Sequence, residues 1–574
     1  MRNDGAYFER KVIMSKKIRS LISGVLCAAM TVSAFTSVSV TEVSAETLLL
    51  KNQLEKATSQ QILADMGMGW NLGNTLDATG KSKLSTETSW GNPKATQELI
   101  DTVKSLGFNT VRIPVTWYKH VDDNYTIDTK WLDRVQEVVD YCYNDGLYVI
   151  LNTHHDCRQE LTGSIKGYTP SSTYYTKSEQ FIDSVWTQVA ERFKDYDYHL
   201  IFETMNEPRL IGSSYEWWFN KNSVPSKVKD SIDCINKLNQ SAVDVIRASG
   251  SRNAGRLIMC PGYDASVDGA TVSGFKLPTD ISGNSNRIVL SVHGYSPYDF
   301  AMGTAASTYG DEQKQQLRDW TMTPIKTNYI DKGIPVVMGE FSSTASKSLS
   351  ERLKWATDYA GLASAMNMPI VLWDNNAYEN SDASERHGYI DRSTNQLYVN
   401  QGQVLNNLFA PYKALEAQRL AAATSTITVS CTVSGEDAVA KAGTINVSVI
   451  AEDNSDLGTF EVNNGKAAIT GRFDDSNHTL YFNAKHCAEK GIVVTINNGQ
   501  PTEAVSEKLN LIGDVDGDGK LTSADLLLTK SHIKGVAPLT GYELSCADVD
   551  GNGEIKAGDL LAMKSHIKAV TPLW

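Results

Sequence analysis

Eight short apolar, strand-forming runs separated by amphipathic stretches of helical period constrain the fold of this chain more than any other feature. They are MGMGWNLG (66 to 73), NTVRIPV (109 to 115), LYVILN (147 to 152), HLIFETMN (199 to 206), RLIMC (256 to 260), RIVLSVH (287 to 293), PVVMGE (335 to 340) and PIVLWD (369 to 374). Alternating strand and helix over about 350 residues is the pattern of βα units around a parallel sheet, and eight units predict a closed (β/α)8 TIM barrel. In that fold, polar residues at the carboxyl ends of the strands form the working face. Here those ends supply Asn71, Arg112, His154, Asn206 with Glu207, His293 with Tyr295, Glu340 and Trp373.

Two of these residues suggest a reaction. Glu207 follows a buried-type strand and precedes Pro208, which removes a backbone donor and stops further β pairing, so a carboxylate is held at a strand end. Glu340 ends the seventh run, and the fourth and seventh strands face each other across a barrel mouth. Facing carboxylates are what acetal hydrolysis requires: one protonates the departing oxygen and the other attacks or activates water. A gap of about 5 Å gives retention and a wider one inversion. With Asn206 beside it to bond a sugar hydroxyl, Glu207 is expected to be the acid/base, its pKa raised. Glu340 is expected to be the nucleophile, kept ionised by Arg112 and oriented by Tyr295. His154 and His293 either bind sugar hydroxyls and shape the proton network or are satisfied core histidines. Trp373 either stacks on a pyranose or simply packs. Trp90, Trp117, Trp217 and Trp218 stand open between cleft and core.

The motifs WNLGNTLDA, GFNTVRIPVTW, ILNTHHD, TMNEPR, HGYSPY, MGEF and VLWDN, in order through about 350 residues, resemble glycoside hydrolase family 5, and within it the endo-β-1,4-glucanase branch that includes cellulases, lichenases and xyloglucanases. The resemblance implies a retaining double displacement with Glu207 as acid/base and Glu340 as nucleophile, and no cofactor for catalysis. It matches Arg112, His154, Asn206, His293, Tyr295 and Trp373 to active-site positions and places Asn71 and His155 along sugar subsites.

The formal net charge of −13, with no cluster of Lys and Arg above that background, argues against nucleic acid as a partner and fits a neutral polymer. Residues 1–45 read as an export region: Lys16, Lys17 and Arg19 follow a start at Met14, a short apolar run comes after them, and Val43-Ser44-Ala45 offers a cleavage site. That run is too short for a membrane span, and no other segment is long and apolar enough. The mature protein is therefore expected to be secreted. Seven cysteines remain after cleavage, an odd number that does not read as a disulfide framework, although Cys431 and Cys487 could pair.

The barrel is expected over 46–415, with YKALEAQRLAAAT as its join to a second module. Residues 423–509, rich in Thr, Val, Ser, Asn and Gly with period-two alternation, predict a small β-sandwich of about seven strands. It contains no tryptophan, so a stacking platform would have to come from Phe460, Phe473, Tyr481 or Phe482, and carbohydrate-binding module and spacer both stay open. Residues 510–574 are an internal duplication with a shift of 34 residues, each copy a loop of calcium-ligand spacing running into a helix. In the first loop Asp514, Asp516, Asp518, the Lys520 carbonyl, Thr522 and Asp525 occupy positions 1, 3, 5, 7, 9 and 12. In the second, Asp548, Asp550, Asn552, the Glu554 carbonyl and Asp559 repeat the set, with Lys556 at position 9 predicting a weaker Ca2+ site.

Asp at position 12 and the absence of a full entering helix depart from a calcium sensor, and the duplicated loop-helix resembles a type I dockerin. That resemblance implies two bound Ca2+ ions, a cohesin domain of a scaffolding protein as partner, and Ser523, Ala524, Ala557 and Gly558 at positions that influence cohesin choice. The expected protein is an extracellular endo-β-1,4-glucanase held on a cell-surface or cellulosome scaffold. A xyloglucanase or mannanase of the same fold is the near alternative. A non-catalytic polysaccharide-binding barrel and a calcium-regulated adhesion protein are the remote ones.

Overall fold

The computed structural model describes residues 54 and 57–574, apart from 281–286, 304, 380, 436–441, 452–455, 474–476 and 498. The export segment read from the sequence, with its cleavage after Ala45, lies outside the described residues. Eight parallel strands, β1 (Met68–Leu72), β2 (Thr110–Ile113), β3 (Tyr148–Asn152), β4 (Leu200–Glu203), β5 (Ile258–Ser266), β6 (Ile288–His293), β7 (Val336–Phe341) and β8 (Ile370–Asp374), form a closed barrel in sequential order, with β8 paired back to β1. Each apolar run read from the sequence supplies one strand. The fourth is shorter than expected: β4 pairs with β5 only through Phe202 and Glu203, so the ladder stops before Asn206, and Asn206 and Glu207 stand on the loop above it.

Side chains of a strand alternate between its two faces, and this alternation builds the site. Tyr148 and Ile150 of β3 point into the barrel with Ile201, Met259, Val289, Val337 and Val371, while Val149 and Leu151 pack outward in the core shared with the surrounding helices. Helix Ser59–Met66 closes the bottom through Ile62, Leu63 and Met66, its amino end held by a capping box at Thr58. One layer higher, the same inward parity brings Asn71, Arg112, Asn152, Glu203 and Ser291 together, all fully buried.

Glu340 has the wrong parity for that layer, because Val337 and Gly339 are the inward residues of β7. The register corrects it: Val292 pairs with Met338 but His293 pairs with Glu340, so one extra residue is accommodated there and Glu340 turns into the mouth.

The last barrel helix, Gln401–Ala423, runs directly into strand Thr424–Val433, so the join is helical. The module beyond it is a sandwich of a three-stranded and a five-stranded sheet, eight strands where about seven were expected, the addition being the two-residue strand Gln500–Pro501. Cys431 and Cys487 do not pair; each is a free thiol packed in the sandwich core. The C-terminal repeat folds as helices Ser523–Ile533 and Ala557–Ile567, joined across a core that includes Thr529 and Met563, with a short helix Tyr542–Ala547 between them. Among the described residues no helix is long and apolar enough to cross a membrane.

Because the bottom plug is fully buried, Ile62→Ala should destabilise the barrel by about 2–5 kcal/mol in urea unfolding while leaving the residues at the opposite mouth in place.

Candidate active site

The site is organised by Arg112. Its guanidinium, fully buried, donates Nε to Glu203 (2.8 Å), Nη1 to Glu340 (2.8 Å) and to Asn71 Oδ1 (2.9 Å), and Nη2 to Asn206 Oδ1 (2.7 Å). The two carboxylates push its pKa up despite burial. Glu203 is in turn saturated, accepting from Asn152 Nδ2 (3.0 Å) and Ser291 Oγ (2.5 Å). Sequence reading missed Glu203, Asn152 and Ser291, because it looked only at strand ends. The signal was present in the alternation, which places Glu203 on the same inward layer as Arg112.

Asn71 sits beneath the barrel mouth. It is fully buried, and its amide nitrogen is spent on the Gly339 (3.0 Å) and Val371 (3.1 Å) carbonyls while its oxygen holds Arg112. The expectation that it lines a subsite is corrected accordingly: a side chain with both ends engaged below the mouth supports Arg112 and Glu340.

Above this layer the two glutamates meet. One oxygen of Glu207, one of Glu340 and a ring nitrogen of His293 all lie within 4.8 Å of one another. Glu340 holds Arg112 through one oxygen and accepts from the Tyr295 hydroxyl (2.9 Å) through the other. His293 Nδ1 is 2.8 Å from Glu207 and 3.7 Å from Glu340. The Arg209 guanidinium is 3.5 Å from Glu207 Oε2 and donates to the Glu207 backbone carbonyl (2.9 Å).

The resulting electrostatics reverse one expectation. Burial alone would raise Glu207, but the His293 hydrogen bond and the charges of His293 and Arg209 override it and hold the carboxyl down to about 2. Burial also works against the His293 cation, yet Glu340 and Glu207 outweigh it and raise the imidazole. Burial and the charge of Glu207 leave Glu340 above the ordinary carboxylate value in spite of His293 and Arg112. The lowered Glu207 and the raised His293 both favour the imidazole as the holder of the proton in this hydrogen-bonded pair. Burial first, and then nearby basic groups, hold the His154 imidazole well below its ordinary value.

The remaining expected residues surround the pair. His154 accepts from Asn152 (3.1 Å), and its ring is parallel to that of Trp373, the centroids 5.8 Å apart. Gly73 makes room for this indole: a Cβ there would lie 2.8 Å from its ring. His155 stands above Asp77 (3.6 Å) and tilts against Trp90 (5.5 Å). Trp117 is core. Trp217 and Trp218, 61% and 69% exposed, line a groove of about 520 Å³ with Trp320, Tyr298, Tyr295 and His293, and Arg209 stacks on Trp217 at 3.9 Å. Trp320 and Tyr298, also exposed, had not been singled out in the sequence.

The C-terminal loops gather acids in the same way. One oxygen from each of Asp514, Asp516 and Asp525 falls within 4.8 Å of the others, and likewise for Asp548, Asp550 and Asp559. Asp525 is fixed by the Val515 (2.8 Å), Asp516 (3.1 Å) and Thr522 (2.8 Å) amides; Asp559 by those of Val549 (3.0 Å) and Lys556 (2.8 Å). Asp514 Oδ2 accepts from Gly519, while Oδ1 is buried without a hydrogen-bond partner. Burial and then the neighbouring acids push Asp514 up to about 6. An orphaned buried carboxylate oxygen facing two more acids fits a hard divalent cation. Asp518 and Asn552 turn their oxygens onto the amides of Lys520 and Glu554, and the Thr522 hydroxyl caps the adjoining helix. Ser523, Ala524, Ala557 and Gly558 lie exposed on the first turns of the two helices, with exposed Leu527 and Leu561 one turn on.

With this geometry established, comparison with known proteins is specific. The family model Cellulase (glycosyl hydrolase family 5) matches residues 76–379, more than half of the chain, and Dockerin type I domain matches residues 512–568. Endoglucanase A of Clostridium longisporum is 42% identical over 350 residues, spanning 59% of this chain and 64% of that protein, so just under two thirds of that relative is represented. Among solved structures, a broad-specificity endoglucanase from Ruminococcus flavefaciens is 43% identical with a TM-score of 0.56, covering 62% of this chain and 99% of that one. A lichenase from Caldicellulosiruptor sp. F32 is 40% identical with a TM-score of 0.57, covering 62% and 96%.

Removing Glu203 would leave the buried Arg112 with one carboxylate in place of two. Glu203→Ala should therefore cost about 3–5 kcal/mol of stability, read as a lowered midpoint of chemical unfolding.

Proposed function

Because the chain belongs to glycoside hydrolase family 5 and carries a type I dockerin domain, we propose that it is a retaining endo-β-1,4-glucanase of soluble and mixed-linkage β-glucans, exported and held on a scaffold by its dockerin. The observation that supports this reading is that one oxygen of Glu207 and one of Glu340 lie within 4.8 Å of each other across the mouth of the barrel, closer than the gap of about 6.5–9.5 Å that inversion needs for its water.

Glu340 attacks the anomeric carbon, its charge held by Arg112 and aimed by the Tyr295 hydroxyl. Glu207 delivers a proton to the departing glycosidic oxygen. That proton starts on His293. As Glu340 loses its negative charge in the bond it forms, the imidazolium loses the interaction that most raises its pKa, and its proton moves through Glu207 to the oxygen. Water then enters, Glu207 accepts its proton, and the hydroxide releases the sugar from Glu340 with net retention. Arg112 and Asn71 position the nucleophile, while Asn206 and His154 are placed to meet sugar hydroxyls. The open groove of Trp217, Trp218 and Trp320 suits a polymer, which passes through the site instead of ending in it. The dockerin loops hold two Ca2+ ions through Asp514, Asp516 and Asp525 and through Asp548, Asp550 and Asp559. Ca2+ bound there would order the helices that are proposed to meet a cohesin.

Product release from carboxymethyl cellulose, mixed-linkage β-glucan, xyloglucan, glucomannan and xylan tests the reading directly. Glu340→Ala should lower kcat by about ten-thousand-fold or more on every substrate cleaved, and Glu207→Ala by about a hundred- to ten-thousand-fold, with the native fold retained at the assay temperature in circular dichroism. Full activity in either variant would remove the pair from its role.

The proton inventory gives a pH prediction. In the native protein the alkaline limb of kcat/KM reports loss of the proton shared by His293 and Glu207, and should lie above the ordinary imidazole range of about 6.5. In His293→Gln the proton must reside on Glu207 alone, so that limb should move toward lower pH and narrow the profile. An unmoved limb would place the proton elsewhere. Chelation of calcium should abolish cohesin binding and leave glucan cleavage intact.

A further inference from the structure

The two calcium loops are copies in sequence but not in surroundings. Gly517 and Gly519 of the first loop correspond, 34 residues on, to Gly551 and Gly553 of the second. A Cβ on Gly519 would lie 2.6 Å from the Cα of Gly435 in the sandwich, and one on Gly517 would lie 3.1 Å from the Asn510 side chain. At Gly551 and Gly553 nothing is found within 4 Å. The first loop is therefore pressed backbone to backbone against the sandwich, whereas the second has open space at both glycines.

The contact is built on both sides. Ser434 donates its amide to Leu509 (2.8 Å) and its hydroxyl to Asn510 (2.7 Å), and Lys508 reaches the carbonyl of Gly517 in the loop (3.1 Å). Main-chain bonds Ala488 to Asn510 (3.1 Å) and Ile512 to His486 (2.9 Å) carry the pairing across the boundary. Tyr542 of the repeat donates to the Ala488 carbonyl (2.8 Å), accepts from the Asn510 amide (3.0 Å) and lies under Lys490 at 4.9 Å. Leu511, Tyr542 and Trp574 pack against the sandwich core, and Ala488 belongs to the core of the repeat. Of the four candidate aromatics of the sandwich, Phe473 and Phe482 are buried, Phe460 is partly buried and Tyr481 is exposed.

We propose that the β-sandwich is a brace for the dockerin. It docks on the first calcium loop through Gly435 and Ser434, so that Ca2+ binding at that loop and the stability of the sandwich are thermodynamically coupled, while the second loop binds its ion independently. Any ligand that binds only the docked, folded form must stabilise every element whose folding that form requires. The proposal rests on the reading of these loops as calcium sites, and calcium uptake measured in the same samples separates the two.

The test is hydrogen–deuterium exchange of the full chain, with Ca2+ and with chelator, resolved by peptide. Chelation should speed exchange about tenfold or more in the sandwich strands Thr424–Val433 and Val505–Leu509 as well as in the repeat, with the barrel unchanged. Gly519→Ala should abolish the response of the sandwich, whereas Gly553→Ala, with the same positive φ but no neighbour, should leave it intact. Tyr542→Phe keeps every calcium ligand and should weaken the response with both ions still bound. If two ions bind and chelation deprotects only residues 513–574, or if the two glycine variants behave alike, the brace is refuted. Absence of calcium uptake would overturn the brace and the calcium reading together.

Discussion

A single buried guanidinium governs the upper half of the barrel. Arg112 cannot be desolvated at that depth without partners, and the partners it recruits are the parts of the site: Glu203 below, Glu340 above, Asn71 and Asn206 at the flanks. The arrangement holds Glu340 from a buried layer contributed by five strands and not from a loop. It also explains why a polar layer survives in the barrel interior at all. Glu203, Asn152 and Ser291 form a closed network in which each member satisfies another, and such a network is costly to break in parts.

The glutamate pair shows how proximity redistributes charge. Two carboxylates this close disfavour double ionisation, yet His293, 2.8 Å from Glu207, together with Arg209, holds that carboxyl below its ordinary value. In the proposed reaction, the charge that Glu340 would lose on attack is also the charge that most raises His293, so bond formation and proton release would be linked through one electrostatic interaction.

Toward the C-terminus, the chain shows how duplication becomes asymmetric. Two loops with nearly the same ligands differ because one meets a neighbour. The buried orphan oxygen of Asp514 has no counterpart in the second loop, where Asp548 is half-buried and the glycines look onto open space. The barrel is joined to the sandwich by a helix that runs directly into its first strand.

Much of this was legible in the sequence. The eight runs, their order, the strand ends and the duplicated loops are local patterns: hydrophobic period sets the elements, and Asp and Gly spacing sets the loops, so the barrel, Glu207, Glu340 and the two acidic triads can be read from the chain alone. Register and parity are not local. Only the tertiary structure decided that Glu203 sits beneath Arg112, that one extra residue in β7 turns Glu340 inward, that Asn71 is buried beneath the mouth, and that His293 is raised beside the two glutamates. Each depends on which strand lies beside which and on charges brought together from residues up to 228 positions apart. The sequence by itself determined which groups the site contains. The packing of β strands and the low dielectric of their interior decided how those groups pair, and pairing sets their charge.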